Sequence, residues 1–589
     1  MDTEPACTDK DSHGRVTIGV STKSGSPHIL HAAVERDLDA NYHQFALPHP
    51  NRTIATWYLL TVLEDSFRNL FVLSEDYHGP IVEFQLDRQK YSARFALDRI
   101  RRECIDTSHA AIPARVISKL YLKTAELLQA GVDFMAANQL CSGAHSGTVK
   151  FIDGDRKIDI VFDDAHHDKR YAALELLGHM PLGMIDHAAN LYAWARRNEL
   201  RPDVADTIAK SVRISGQEVT YKYDPRLAVR LSRKMMQQPS LVPEEWKFPW
   251  GGRYETILVV NALCVRCMYH WVAVHFGAKL NGLRGGGAAR LLHVTAMSQL
   301  VGDLRQMCSL DEATIRRFLQ YLTYGHGMNN PDPALQPIVA LGNGQLAIPC
   351  LMYLSSNYER NLLGLQARID SNTFDSMSRL FETKMVRELL TEIGPRWPFA
   401  KGNITIRVDG GFEEIDLLIA DPASRTILVC ELRWMLQPGD PREVQKRKKV
   451  CQEKVTQVAR KVEWWKSRVH APLDVLGIEA GNSDAWQIEG VVVMKTFGGT
   501  LSGNARYPIM TERVFVQGMQ RATSLSHFAD WSQSLRWLPQ EDVHFCIVPN
   551  YEVRLRSLGK NLAIPGMEKL CTPRAYAEFV NQSLVLLDN

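Results

Sequence analysis

The sequence predicts a mixed α/β protein, with a large, mostly α-helical N-terminal region and a C-terminal α/β domain whose central mixed sheet is flanked by helices. Apolar residues recur at helical spacing through 50–140 and 254–276, and 202–214 also looks helical. Two runs rich in Ile, Leu and Val, 415–420 and 426–432, are separated by a turn signal and predict a hairpin. A long helical pattern follows the hairpin, and strand-like runs at 487–494 and 514–516 come after it.

Length and composition are those of a multidomain globular protein. A chain of 589 residues is long enough for two to four domains. Its hydrophobic fraction of 45% and charged fraction of 23% are ordinary, and a net charge of +3 is too small to indicate a partner. We expect four segments: a loose N-terminal tail (1–45), a mostly helical regulatory or interaction region (46–365), the α/β domain (366–550) and a C-terminal tail packed on that domain (551–589).

The lack of a recognisable targeting signal and the cysteine usage favour a cytoplasmic location. Residues 1–26 are polar and contain no apolar segment, so we expect neither a secretory signal nor an anchor. The longest apolar run, 257–276, is interrupted by Arg266 and two histidines, which predicts a buried helix and no membrane span. The eleven cysteines show no framework spacing, which is typical of a protein in a reducing cytosol.

Three motifs in the N-terminal region contain residue types that bind metals or phosphates. Cys264 and Cys267 have Cys-x-x-Cys spacing, but the chain has no second such pair, so two buried thiols are favoured over zinc. Segment 163–168 contains three aspartates and two histidines after a predicted hairpin at 148–164, and both a metal site and a polar loop explain it. The Gly-rich segment 284–290 lacks the ending of a P-loop, so a flexible loop is the better interpretation.

Acidic residues lie in both strands of the predicted C-terminal hairpin. Because side chains alternate along a strand, Glu414 and Asp416 share one face, and Glu431 and Arg433 share one face of the next strand. Carboxylates on apolar strands are costly to bury, and a divalent cation offsets that cost. Mg²⁺ is usually held by one or two carboxylates, so Asp416 and Glu431 are candidate ligands. The alternative is a hairpin end at which these charged groups face water.

The predicted helices before and after the hairpin contain further candidates. Glu382 lies on the apolar face of the first helix, within about 20° of Leu389, and an acid in that position requires a partner. In the second helix, which follows Pro441, Lys454 and Lys461 lie on one flank with angular offsets of about 60° or less. If the apolar stripe of this helix packs on the sheet, that flank faces the hairpin acids.

A basic run begins the second helix. Five cations cluster there, opposed only by Glu443: Arg442, Lys446, Arg447, Lys448 and Lys449. A run of this kind is most often a solvated face. Beside an acidic site it would instead suit a track of phosphate contacts, which provides affinity without a choice of base sequence.

The order helix, strand, strand, strand, helix, strand, with acids in the first helix and at adjacent strand ends, resembles the PD-(D/E)xK nuclease superfamily. The resemblance covers about 370–500 of the chain and rests on three strings: Phe381-Glu382-x-x-x-Val386-x-x-Leu389-Leu390, Glu414-Ile-Asp416-Leu-Leu-Ile and Val429-Cys-Glu431-Leu-Arg433. It implies a restriction-endonuclease-like fold for the C-terminal domain.

The resemblance also implies a Mg²⁺- or Mn²⁺-dependent endonuclease that hydrolyses DNA phosphodiester bonds. Asp416 and Glu431 would bind the metal, and Glu382 would complete its shell or orient a metal-bound water. The superfamily's lysine falls on Arg433, whose guanidinium does not deprotonate at working pH. Three explanations stay open: the metal alone generates hydroxide, Lys454 reaches into the site, or the nuclease is degenerate and only binds.

Two functional hypotheses follow, and a third is more distant. The first is an intracellular nuclease with DNA as its partner, set by analogy in bacterial defence against foreign DNA, with an N-terminal region that recruits a partner protein or a second copy. The second is a catalytically degenerate protein that acts as a nucleic-acid-binding or scaffolding subunit. The third is an N-terminal metalloenzyme that uses the 163–168 cluster.

Overall fold

The structure is a computed structural model, and the protein it shows is mixed α/β with several separate sheets. It describes residues 27–585 except for the following: 74–78, 107–109, 163–167, 179–203, 216–217, 233–239, 241, 279–281, 283–286, 409–410, 437–440, 480, 482–484, 496–505 and 569.

The N-terminal part is built mainly from helices, and Trp57, Trp246 and Trp250 are among the large side chains fully buried in its core. A π-helical segment, Val272–Gly277, extends α8, and a 3-10 turn, Ala288–Arg290, follows it. The helices are α1 (Pro27–Gln44), α2 (Arg52–Leu73), α3 (Gly79–Glu103), α4 (Ser118–His145), α5 (Lys169–Gly178), α6 (Val204–Lys210), α7 (Pro225–Ser232), α8 (Arg253–Trp271), α9 (Met297–Cys308), α10 (Glu312–Tyr321), α11 (Cys350–Leu354) and α12 (Tyr358–Ile369).

Short strands lie between these helices, and the hairpin predicted at 148–164 is confirmed. Its two strands pair antiparallel from Val149 opposite Phe162 to Asp153 opposite Ile158. The N-terminal strands are β1 (Val149–Asp153), β2 (Lys157–Phe162), β3 (Arg213–Ser215), β4 (Glu218–Thr220), β5 (Lys247–Phe248), β6 (Gly251–Gly252), β7 (His293–Ala296), β8 (Val339–Ala340) and β9 (Gln345–Ile348).

The C-terminal part contains a five-stranded sheet of order β10-β11-β12-β13-β14. Strand β11 is antiparallel to both β10 and β12, and β13 and β14 continue in parallel with β12. The strands are β10 (Ala400–Val408), β11 (Gly411–Asp421), β12 (Thr426–Arg433), β13 (Gln487–Met494) and β14 (Ile509–Thr511), and two more, β15 (Cys546–Leu555) and β16 (Lys560–Glu568), follow. The helices are α13 (Ser371–Ile393), α14 (Pro441–Lys466), α15 (His470–Leu476), α16 (Glu512–Arg521), α17 (Leu525–Ser534) and α18 (Pro573–Val585).

Between 371 and 494 the elements follow the order that the sequence predicted: helix, three strands, helix, strand, with the short α15 before the last strand. Strand β12 is buried at every residue except Arg433, as its continuous apolar run indicates. A Cβ at Gly402 would contact Val386 of α13, and one at Gly490 would lie 2.7 Å from a methyl of Val458 in α14. The strand registers place these glycines on opposite faces, so α13 and α14 cover the two faces of the sheet.

Helix α13 connects two hydrophobic cores. Phe381 belongs to the N-terminal core, whereas Met385 and Leu389, one and two turns later, belong to the core around the five-stranded sheet. Helix α5 lies early in the chain, but its Tyr171 and Leu174 also pack in this second core. The domain boundary expected near residue 365 therefore does not divide the two hydrophobic cores, because segments from both sides of it pack in the second core.

Four segments differ from the sequence prediction. Residues 27–44, expected to be part of a loose tail, form α1, in which Val34 and Leu38 are buried. Segment 514–516, predicted as a strand, lies in α16, and residues 213–214, predicted as the end of a helix, belong to β3. In 551–589, expected to pack on the α/β domain, α18 does so, but β16 pairs in parallel with β2 in a sheet of order β1-β2-β16-β15.

One helix in the described ranges, Arg253–His275, is long and apolar enough to span a membrane. Within its most apolar window, 83% of the residues are buried inside the protein. Such burial is typical of a core helix, which is how the sequence analysis interpreted this run.

Candidate active site

The candidate site lies where strands β11 and β12 separate. Their main-chain pairing runs from Asp421 opposite Thr426 to Leu417 opposite Cys430 and ends there. At the next position, Oδ2 of Asp416 accepts a hydrogen bond of 2.8 Å from the backbone N–H of Leu432. The side chain thus takes the place of a main-chain acceptor, and the two strands form a fork with a carboxylate at its base.

Helix α14 packs closely against the sheet beside this fork because a glycine in β13 faces it. At Gly490, a Cβ would come within 2.7 Å of Val458 and 2.9 Å of Val462, so glycine permits close packing. Seven residues span nearly two helical turns, so Lys454 and Lys461 project from the same side of α14. Both side chains reach the acids of the fork.

Lys454 bridges the two acids that the sequence singled out as metal ligands. Its Nζ lies 2.8 Å from Oε2 of Glu431 and 3.4 Å from Oδ2 of Asp416. Burial by itself acts to lower the pKa of Lys454, but the two carboxylates outweigh it and raise that pKa above its ordinary value. The bridging group is therefore an ammonium at neutral pH. Of the three explanations that the sequence leaves open for the strand arginine, this contact matches the one in which Lys454 reaches into the site.

Lys461 occupies the interior of the fork. Its Nζ donates to Oε1 of Glu431 and to the main-chain carbonyl of Glu414, which lies where β11 no longer pairs with β12. The side chain of Glu431 is only 1% exposed, and both of its oxygens accept from ammonium groups. A buried carboxylate requires such compensation.

Glu382 and Arg433 form a second pair beside the fork. Nη1 of Arg433 lies 2.7 Å from Oε1 of Glu382, and the side chains are 40% and 31% exposed. In the described part of the chain, no group of three or more His, Cys, Asp or Glu side chains is arranged to hold a metal ion. Asp416 and Glu431 thus converge on one positive group, the ammonium of Lys454, whereas Glu382 lies with Arg433 and not in a three-carboxylate shell.

The donor chemistry of the fork fits a divalent cation held by two carboxylates. Asp416 and Glu431 approach closely enough to share one positive group, and the side chain of Asp416 is 31% exposed, so it is accessible from solvent. Hard Mg²⁺ takes one or two carboxylates together with water and substrate oxygens. These two residues would hold such an ion, with Lys454 displaced from its bridging position.

The basic run at the start of α14 is divided between surface and interior. Lys446 and Lys449 are exposed, whereas Arg447 and Lys448 are each only 8% exposed; the side chain of Arg442 lies outside the described part. Burial lowers the pKa of Lys448 to about 8. The expectation that all five cations form a solvated phosphate track is therefore wrong for Arg447 and Lys448. These two side chains point into the protein, because their positions on α14 face its packed side.

The other sequence candidates do not form a second site among the described residues. Residues 163–167 lie outside the described part, and Asp168 pairs with Arg170 at 2.7 Å. Cys264 and Cys267 are buried thiols whose pKa values burial raises, as the favoured interpretation predicted.

Two ion pairs of α14, one made by Lys461 and one by Arg460, are not among the contacts that the sequence predicted. The helical period puts Lys461 on the correct flank of α14, and its spacing of seven from Lys454 is the signal in the sequence that marks it as a site residue. The pair between Arg460 and Glu413, in which Nη2 and Oε2 are 2.9 Å apart, had no signal in the sequence.

Comparison with protein-family models, with curated proteins and with solved structures gives no match for this chain. The geometry of the fork is therefore the basis for the function of this chain that is proposed below.

Proposed function

We propose that the chain is a metal-dependent nuclease that hydrolyses DNA phosphodiester bonds, on a C-terminal domain of the restriction-endonuclease-like type. The observation that supports this most is the bridge that Lys454 makes between Asp416 and Glu431 at the fork. Two acids from adjacent strands and a nearby ammonium are the residue types that the resemblance to the PD-(D/E)xK superfamily implies, although the ammonium here comes from the following helix and not from the strand position that Arg433 occupies.

In this proposal the metal ion is Mg²⁺ or Mn²⁺ and would be held by Asp416 and Glu431. When bound, it would lower the pKa of a coordinated water and offset negative charge on the phosphate. Glu431 is fixed in the site by Lys461, and Asp416 by the N–H of Leu432, so neither carboxylate has to reorganise to meet a cation. Such preorganisation is the main protein contribution to catalysis of this type.

Lys454 supplies the ammonium that the strand motif lacks. Arg433 stands at the strand position where the superfamily has lysine, but its guanidinium is engaged with Glu382. The ammonium of Lys454 is already within 3.4 Å of both metal-binding acids. Displaced from its bridging position by the metal ion, it would stay at the site and donate to the phosphate oxygens on which negative charge accumulates during hydrolysis.

Cleavage of supercoiled plasmid in Mg²⁺ or Mn²⁺ tests the proposal. Wild-type protein should nick or linearise the plasmid, EDTA should prevent this, and Asp416→Asn and Glu431→Gln should each abolish it. Glu463→Gln, on the exposed side of α14, is the matched control and should cleave as the wild type does. Equal cleavage by wild type and Asp416→Asn would overturn the proposal.

A degenerate nucleic-acid-binding protein is the second candidate. One observation favours it: both oxygens of Glu431 are occupied by lysines, so the site is balanced in charge without a metal. This candidate predicts that wild-type protein retards DNA in a gel with either metal present and leaves the plasmid supercoiled.

A further inference from the structure

Three arginines approach one carboxylate where the N-terminal part meets α14. Nη2 of Arg360 lies 3.7 Å from Oε2 of Glu443, and Nη2 of Arg368 lies 3.4 Å from Oε1 of the same side chain. The third is Arg447, one turn after Glu443 on α14. These four residues are called the junction cluster here. Its cations outnumber its acid by three to one.

Two acids that the structure describes beside the cluster leave this imbalance in place. Asp332 is shared between Arg368, at 3.4 Å, and Arg94, at 3.7 Å, so it adds a cation together with an anion. Glu175 of α5 acts on Arg447 electrostatically, but burial raises the pKa of Glu175 to about 8. At neutral pH this carboxyl is therefore mainly protonated, and it does not neutralise Arg447.

Arg447 is the most buried member of the junction cluster. It is 8% exposed, and its Nη1 is buried with no hydrogen-bond partner among the described residues. Burial lowers the pKa of Arg447 to about 10, even though Glu443 and Glu175 favour its charged form. Burying an arginine without a matching anion is costly, so a ligand anion at this position would offset a cost that the folded chain already bears.

We propose that the junction cluster binds a phosphate group, with Arg447 at the base of the site and Arg360 and Arg368 at its sides. Arg447 is 8% exposed as a residue, whereas the side chains of Arg360, Arg368 and Glu443 are 15%, 23% and 34% exposed, so the cluster reaches solvent on the side away from Arg447. The planar guanidinium group donates two parallel hydrogen bonds, a geometry that matches phosphate oxygens.

The phosphate has two sources, a nucleic-acid backbone or a free phosphate compound. Arg447 precedes Lys454 by seven residues on α14, a distance of about 10 Å along the helix axis. A strand bound at the fork would thus place another of its phosphates near the junction cluster. Only this choice of source rests on the proposed nuclease function; phosphate recognition by the arginines does not.

Binding to full-length protein in EDTA tests the inference, because omission of divalent metal separates binding from cleavage. The probes are a fluorescently labelled duplex oligonucleotide, followed by anisotropy, and pyrophosphate, followed by its effect on the thermal unfolding midpoint. The variants are Arg447→Met, which keeps much of the apolar stem, and Arg447→Lys, which keeps the charge but loses the planar pair of guanidinium donors. Lys466→Met, exposed near the end of the same helix, is the control.

We expect Arg447→Met to weaken binding of at least one probe tenfold or more, Arg447→Lys to have a smaller effect, and Lys466→Met to bind as the wild type does. Loss with the duplex alone identifies the backbone as the source, and loss with pyrophosphate identifies a free phosphate compound. Unchanged binding of both probes by Arg447→Met would overturn the inference. Should that variant not fold, Arg368→Met, at the partly exposed side of the cluster, takes its place. A protein that binds through Arg447 but never cleaves would overturn only the nuclease.

Discussion

The indole ring of Trp434 lies parallel to the phenyl ring of Phe381, with centroids 3.9 Å apart and planes 4° apart. Each ring belongs to the chain neighbour of a site residue, since Phe381 precedes Glu382 and Trp434 follows Arg433. The stack therefore brings α13 and the end of β12 together next to the ion pair between Glu382 and Arg433. Both rings belong to the N-terminal core, so that core supports one side of the candidate site.

Replacement of Trp434 should therefore affect both stability and the site. Trp434→Ala removes a large, 9% exposed ring and should lower the free energy of unfolding by about 3 kcal/mol or more. Trp434→Phe should restore most of this loss because it can still stack. Chemical denaturation measures the change. Phe412→Ala, at a ring that is 59% exposed, is the control and should have little effect; equal losses for both alanine variants would contradict the stacking argument.

Lys461 should act as the structural counter-ion of Glu431. Lys461→Met leaves a buried carboxylate with one ammonium fewer, and we expect a loss of about 3 kcal/mol of unfolding free energy. Combining Lys461→Met with Glu431→Gln should cost less than the sum of the two single losses, because the unpaired charge is then gone. A double-mutant cycle by denaturation measures this coupling. Lys466→Met, which breaks an exposed pair on the same helix, should show no measurable change.

Lys454 should be needed for chemistry more than for folding. Lys454→Met should lower the rate of plasmid cleavage about 10²- to 10³-fold, because a positive group at the reacting phosphate is lost. Single-turnover kinetics measure the rate, and thermal unfolding checks that the variant is folded. Arg433→Met should cost less, since its guanidinium is engaged with Glu382. A larger loss for Arg433→Met than for Lys454→Met would reverse the roles assigned to them.

Gly490 should be required for the position of α14. Gly490→Ala would bring a methyl within 3 Å of Val458 and Val462, and overpacking of this kind costs about 1–3 kcal/mol. The displaced helix should also move Lys454 away from the fork and slow cleavage. Gly302→Ala is the matched control: this glycine lies in α9 with no atom near an added Cβ, so alanine should be neutral or slightly stabilising there.

Lys448 should make stability depend on pH in alkaline solution. Its pKa is about 8 in the folded chain and 10.5 as the ordinary value, because burial disfavours the charged form. The unfolded chain therefore binds more protons between pH 8 and 10.5, so burial of Lys448 costs stability in full below pH 8, and this cost disappears as pH rises to 10.5. Lys448→Met should be more stable than wild type at pH 7, on the order of 2 kcal/mol, and this advantage should shrink by pH 10.

Denaturation of both proteins across this pH range provides the measurement for Lys448. Lys446→Met, at the exposed neighbouring position, should run parallel to wild type at every pH. An advantage of Lys448→Met that stays constant from pH 7 to pH 10 would mean that the ammonium is not desolvated in the folded protein.

Local pattern was enough to predict much of the C-terminal architecture. The strands β11 and β12 are continuous apolar runs around a turn, and α14 carries a regular apolar stripe, so each is specified by near neighbours in sequence. The helical period also placed Lys454 and Lys461 on the flank that meets the acids. Segment 514–516 misled because three apolar residues suit either a strand or a helix, and the N-cap at Thr511 favours the helix.

The sequence by itself determined the order of elements from 371 to 494, the two acids of the fork and the lysine that could reach them, because periodicity and residue type act over a few positions. Only the tertiary structure decided that Glu382 pairs with Arg433, that Arg447 and Lys448 are buried, and that β16 joins β2. Those outcomes depend on contacts between segments distant in the chain, whose energies are set by packing and desolvation and leave no local pattern.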